Sequence, residues 1–200
     1  MGSRTRTTRD GRTVRAERTR QALVDALLAL LDEGELRPTT ERIASRAGVS
    51  ERSVFQHFPD REAFLEAVAR QQYERVFASF EPVDPSLALP ERLDAFVRQR
   101  SRFLEESSAV RRAALLLEPE SEVVAGWLES WRRATATELE RVFRSELDEH
   151  ERGERGVLLS ALVSAASGPV WEGYRLHRRM GTERARAAMR LTLAALLGER

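Results

Sequence analysis

The chain contains no cysteine, no lysine and no asparagine, and a single isoleucine, Ile43. Without cysteine, disulfide frameworks and thiolate metal sites are excluded. Histidine is scarce as well: His57, His150 and His177 lie far apart, without HxH or HxxxH spacing, so neither a metal nor any other cofactor is expected. No run of about 18 apolar residues occurs, so no membrane span is expected. The N-terminus is arginine-rich and lacks the apolar stretch of a secretory signal, which leaves the cytoplasm as the expected location. A Gly-rich phosphate loop, a dinucleotide fingerprint and a nucleophile–base pair are also missing, so an enzyme is not expected.

What is present is an ordinary globular composition. The 200 residues are 42% hydrophobic and 32% charged, enough for a core of real size. The net charge is only +1, but it is unevenly placed. Residues 1–20 carry Arg4, Arg6, Arg9, Arg12, Arg15, Arg18 and Arg20 against Asp10 and Glu17. The stretch 1–17 reads as a basic flexible arm. It could neutralise phosphates, or it could be a solvated tail.

Nearly every later segment has a helical period, and the expected fold is all-α. A first helix is predicted over about 18–33, with Leu23, Ala26, Leu27, Leu30 and Leu31 forming one apolar stripe. Gly34 can end it in the left-handed conformation, and Pro38 prevents its continuation. Thr39 is suited to cap a short helix over 40–47, Ser50 another over 51–57, and Asp60 a longer one over about 61–80. Further helices are predicted near 90–106, 109–117, 121–148, 154–179 and 182–197. The domains expected are a helix-turn-helix domain over 18–62, a connecting fourth helix over 61–80, and a larger helical domain over 81–200.

The informative window is 39–62, TTERIASRAGVSERSVFQHFPDRE. Two short helices meeting steeply need small residues where they touch, here Ala44 and Ala47, and a turn residue tolerant of positive φ, here Gly48. If Ile43, Val54 and Phe58 are buried and Val49 plugs the crevice, the helix over 51–57 must expose Glu51, Arg52, Ser53, Phe55, Gln56 and His57. Such a face suits a DNA major groove. Arg52 could bond guanine and Gln56 adenine, each bidentately. Glu51 could accept from cytosine or simply favour the positive helix end.

The spacing Ile43-Ala44, Ala47-Gly48-Val49-Ser50, Ser53-Val54-Phe55, His57-Phe58, Arg61-Glu62 and Phe64 resembles the TetR family of bacterial regulators, whose motif reads approximately IAxxAGVSxxTVYxHFxxKExL. The resemblance covers about residues 18–75. It implies an N-terminal three-helix helix-turn-helix DNA-binding domain joined to a larger helical ligand-binding and dimerisation domain. It implies double-stranded operator DNA and a second copy of the chain as partners, in the bacterial cytoplasm at the nucleoid. It also implies phosphate contacts from Thr39, Thr40, Ser53, His57 and Arg61, with Ser50 in the same turn. Four departures stand out: Phe55 for tyrosine, Arg61 for lysine, Glu35 for an aromatic, and Arg42 where an acid is common. Arg42 could meet a phosphate or be solvated, and His57 could be a packed residue instead.

The last two helices are apolar and rich in small residues. By resemblance they form a four-helix bundle with their twofold mates, with Leu158, Leu162, Ala165, Leu193 and Leu196 at the seam. The remaining aromatics, Phe96, Phe103, Trp127, Trp131, Trp171 and Tyr174, are either plain core or the lining of a pocket for a small apolar effector. The function expected is a repressor released from a palindromic operator by that effector; a regulator without an effector, activator or repressor, is the alternative.

Overall fold

A computed structural model describes residues 5–78 and 80–199, with side chains described from Thr13 onward. The described residues form helices and no strand: α1 (Thr5–Asp32), α2 (Thr40–Ala47), α3 (Glu51–His57), α4 (Arg61–Phe77), α5 (Leu89–Glu106), α6 (Ser108–Leu117), α7 (Glu122–Val142), α8 (Arg144–Leu147), α9 (Arg152–Ala165), α10 (Gly168–Glu172) and α11 (Thr182–Leu196). A 3-10 turn, Glu118–Glu120, precedes α7, and a wider π-type turn, Gly173–His177, extends α10.

The first helix departs from expectation. It is helical from Thr5 rather than from about residue 18, so the backbone of 5–17 continues α1 instead of forming a separate arm. Nothing in the composition of 5–17 stops a helix: it has no proline, a single glycine, Gly11, and many arginines, which are good helix formers. Arg4 and the side chains of Arg6, Arg9, Asp10 and Arg12 lie outside the described residues.

The chain packs as two compact units. One comprises the described residues up to Arg75 together with Ala109–Leu128; the other comprises Val76–Ser108 and the residues from Glu129 onward. The division falls within α4 and within α7. A cut near residue 81 was expected, but the segment 109–128 packs with the N-terminal helices instead.

In the first unit, Leu23, Leu27, Leu30 and Leu31 of α1 meet Ile43 and Ala44 of α2, Val54 of α3, Phe58, and Phe64 and Val68 of α4 in one buried cluster. Val110 and Ala113 of α6 join it, because that face of α6 repeats its small apolar residues at helical spacing. Burying each of these larger side chains stabilises the unit by about 1.5–3 kcal/mol. In the second unit, Leu93, Phe96, Val97 and Leu104 of α5 pack with Leu139, Val142 and Phe143, Leu162 of α9, Trp171, and Met189 and Leu193 of α11. One charged pair is sunk there: Arg92 donates to Glu146 and, at 2.7 Å, to the Val142 carbonyl. Burial raises the Glu146 carboxyl, but the Arg92 hydrogen bonds and charge hold it below the usual range.

Helix 154–179 of the sequence reading is interrupted. Pro169 sits in the first turn of α10, where its missing N–H costs nothing, and α9 has already ended at Ala165.

Candidate nucleic-acid interface

The turn between α2 and α3 is built by local rules. Thr39 is extended and accepts from the Arg42 amide at 3.2 Å, capping α2. Gly48 ends α2 at φ +69°, and its N–H bonds back into the helix. That conformation costs a residue with a Cβ about 1–2 kcal/mol, so glycine sets the angle at which α3 leaves. Ser50 stands at the N-cap position of α3, but its hydroxyl pairs with that of Ser53 at 2.9 Å instead of capping an amide. Asp60 caps α4 by accepting from Ala63 N–H at 2.7 Å.

Burying Val54 and closing α3 onto Phe58 leaves the opposite face outward. Glu51, Arg52, Phe55 and Gln56 are exposed, and Ser53 and His57 are half-buried. Phe55 is 69% exposed, a large ring in water with no packing role in its own unit's core. Thr39 and Arg61 are exposed and Thr40 half-buried, on the flanks of the same turn. The ten residues singled out from the sequence for DNA contact thus lie in one turn region of the first unit, between α2 and the start of α4.

Ion pairs brace this head from behind. Arg46 of α2 pairs with Glu33, and its hydrogen bond is the chief reason the Glu33 carboxyl is held below its usual range. Arg42, expected either at a phosphate or in solvent, instead donates to Glu35 at 3.2 Å. These two departures from the motif therefore pair with one another. Arg61 and Arg37 both approach Glu120, at 3.7 and 3.9 Å. Glu62 accepts from the Ser121 hydroxyl at 2.7 Å and from the Val123 amide at 3.3 Å, fixing the start of α7 against α4 within the first unit. The sequence offered no signal for the partners of Arg61 and Glu62, which lie about sixty residues away.

The six aromatics read from the sequence as plain core or pocket lining divide between the two. Phe96, Phe103 and Trp131 line a cavity of about 300 Å³ in the second unit, with Phe77, Phe80, Gln99, Thr135 and Glu138. Phe103 lies 4.9 Å from Trp131, ring centre to ring centre. Trp127 lines a different cavity, in the first unit. Trp171 is 1% exposed and donates to Glu105 at 2.6 Å, so it is core with its polar edge satisfied. Tyr174 packs against the same core.

The expected seam residues also divide. Leu162, Ala165 and Leu193 are buried inside the second unit, where their own chain fills the space around them. Leu158 and Leu196 are half-buried. The outward stripes of these helices are instead Gly153, Gly156, Val157 and Ser160 on α9, and Ala187, Leu191 and Ala195 on α11. Val157 is 72% and Leu191 71% exposed.

No group of acidic residues and histidines among the described residues could hold a metal ion, and no described helix is long and apolar enough to cross a membrane.

Residues 23–68 match the model of the bacterial regulatory proteins of the tetR family. None of the curated proteins matches the chain at a significant level. Among solved structures, the fold is similar to that of a transcriptional regulator from Rhodococcus sp. Rha1, at 18% identity over 92% of this chain and 96% of that one, with a TM-score of 0.68. The family match spans α1 from Leu23 to α4 at Val68, the same stretch in which caps, glycine turn and outward polar face form a helix-turn-helix, so residues 23–68 form a DNA-binding domain of the tetR-family type.

Proposed function

We propose that this regulator is a homodimeric repressor that binds a palindromic operator through α3 and is released by a small apolar effector. The observation that carries the DNA-reading part is the face of α3: Val54 is buried, so Arg52 and Gln56 are presented together with the bare ring of Phe55. Arginine and glutamine reach purine edges, and an apolar ring suits a thymine methyl. Thr39, Thr40, Ser50, Ser53, His57 and Arg61 flank that face and supply phosphate contacts.

A dimer places two such heads about 34–36 Å apart on successive major grooves. The outward stripes of α9 and α11 support this reading. Small residues let helices approach closely, and Val157 and Leu191 are exposed apolar side chains in need of cover. The effector fits the cavity of about 300 Å³ in the second unit, at the small end of ligand pockets, which run roughly 300–1,000 Å³. Five of its lining residues are rings, and Gln99, Arg100, Thr135, Thr137 and Glu138 offer the polar groups that would orient a ligand.

Selection of duplexes from a random library tests the reading. A near-palindromic site, bound with an affinity that falls steeply with salt, is the expected result. Failure to select any sequence, or indifference to salt, overturns it.

A further inference from the structure

A second cavity lies wholly within the first unit, behind the DNA-reading turn. It measures about 470 Å³. Its walls are apolar side chains of six helices, among them Leu27 of α1, Ile43 of α2, Val54 of α3, Phe64 of α4, Val110 of α6 and Trp127 of α7. Its charged residues are few: Arg37, Arg61, Glu120 and Asp60. Asp60 is already engaged in capping α4. The other three form one cluster, in which Glu120 faces both arginines at 3.7 and 3.9 Å, too far for hydrogen bonds. All three are more than half exposed, so these ion pairs are weak and exchangeable.

We infer that this cavity binds an apolar carboxylic acid, whose hydrocarbon body fills the space behind α3 and whose carboxylate replaces Glu120 as the partner of Arg61 and Arg37. The volume lies within the range of small-molecule pockets, roughly 300–1,000 Å³. An arginine fork grips a carboxylate with two parallel hydrogen bonds, a geometry Glu120 does not reach here. An acid held by its apolar body presents its charge at high local concentration, which favours the exchange. This site deepens the regulatory reading above and rests on it in one respect only. If Arg61 contacts an operator phosphate, the bound acid competes for the same guanidinium and weakens DNA binding directly.

Calorimetric titration of the full-length protein with decanoate, and separately with 1-decanol, tests the site without DNA. Decanoate is expected to bind at least tenfold more tightly than 1-decanol. Arg61→Gln and Arg37→Gln are expected to erase most of that preference, and Glu120→Gln to tighten decanoate by removing the internal competitor. Ala69→Phe, which fills the cavity from α4, should abolish binding; circular dichroism checks that it folds. Should decanoate bind no better than the alcohol, or be indifferent to Arg61→Gln, or fail to bind at millimolar concentration, the inference is overturned. Decanoate binding that survives Ala69→Phe but is lost on Thr135→Trp places the acid in the second unit's cavity and also overturns it. Because these titrations contain no DNA, they stand whether or not duplex selection succeeds. If an operator is found, decanoate competition with it then reads the regulatory consequence separately.

Discussion

The guanidinium of Arg20 lies over the ring of Phe58, 4.4 Å from its centroid, and donates to the backbone carbonyl of His57. It thereby closes the C-terminal end of α3 from α1. The last carbonyls of a helix lack partners within it, and a cation there also favours the helix dipole. Arg20 belongs by sequence to the basic N-terminal run, yet its charge is committed to holding the recognition helix.

That arrangement sets a first expectation. Arg20→Ala should lower unfolding free energy by about 1–2 kcal/mol, from the lost cation–π contact and hydrogen bond. It should weaken operator binding without changing the slope of log affinity against log salt. A slope reduced by about one would mean that Arg20 neutralises a phosphate instead.

Reading and positioning should separate on α3 and α4. Arg52→Ala or Gln56→Ala is expected to relax preference at individual base pairs, by about 1–3 kcal/mol each. Arg61→Ala should weaken all sequences alike and shallow the salt slope. Unaltered sequence preference in both α3 variants would show that another face reads the bases.

The dimer proposal can be tested by contrast. Val157→Glu and Leu191→Glu change exposed positions, so each should leave monomer stability within about 0.5 kcal/mol. Sedimentation should nonetheless show a monomer, and operator affinity should collapse. Leu162→Asp and Leu193→Asp bury an unpaired charge in the second unit's core and should unfold it. A wild-type monomer at micromolar concentration would refute the dimer.

Acid sensitivity should trace in part to Glu105. Burial raises its carboxyl, but hydrogen bonds from Arg175 and Trp171 outweigh this and hold it below its ordinary 4.5. A carboxylate depressed in the folded state adds stability above the unfolded value, and that stability disappears as pH falls through the folded one. Glu105→Gln should therefore lower the melting temperature at pH 7 and flatten its decline below pH 4.5. An identical decline in both proteins would remove Glu105 from the explanation.

The reading head was legible from sequence because its requirements are local. Thr39 and Asp60 cap through amides three residues on, Gly48 supplies one positive φ, and Val54 fixes which side of α3 turns inward. The partners of charged groups were not legible. Glu120 at Arg61 and Glu105 at Trp171 depend on segments brought together by folding across about sixty residues. Neither was the orientation of α9 and α11, since both carry apolar or small residues on more than one face. Periodicity alone does not choose between Leu162 and Val157, or between Leu193 and Leu191, as the inward stripe; packing of the second unit does.

Ala109–Leu128 pack with the N-terminal helices, with Ala114, Val124 and Leu128 clustered against Leu65 of α4. The head is therefore a discontinuous module, which matters to anyone building chimeric regulators. A graft cut at residue 80 and joined to a foreign body would carry α4 with an oily, uncovered side, because the strip that shields it is encoded some thirty residues further on. Such a hybrid would aggregate or lose its recognition helix even with every DNA-reading side chain intact. A transplant that works must bring 109–128 along, or supply a substitute surface with the same small apolar pattern.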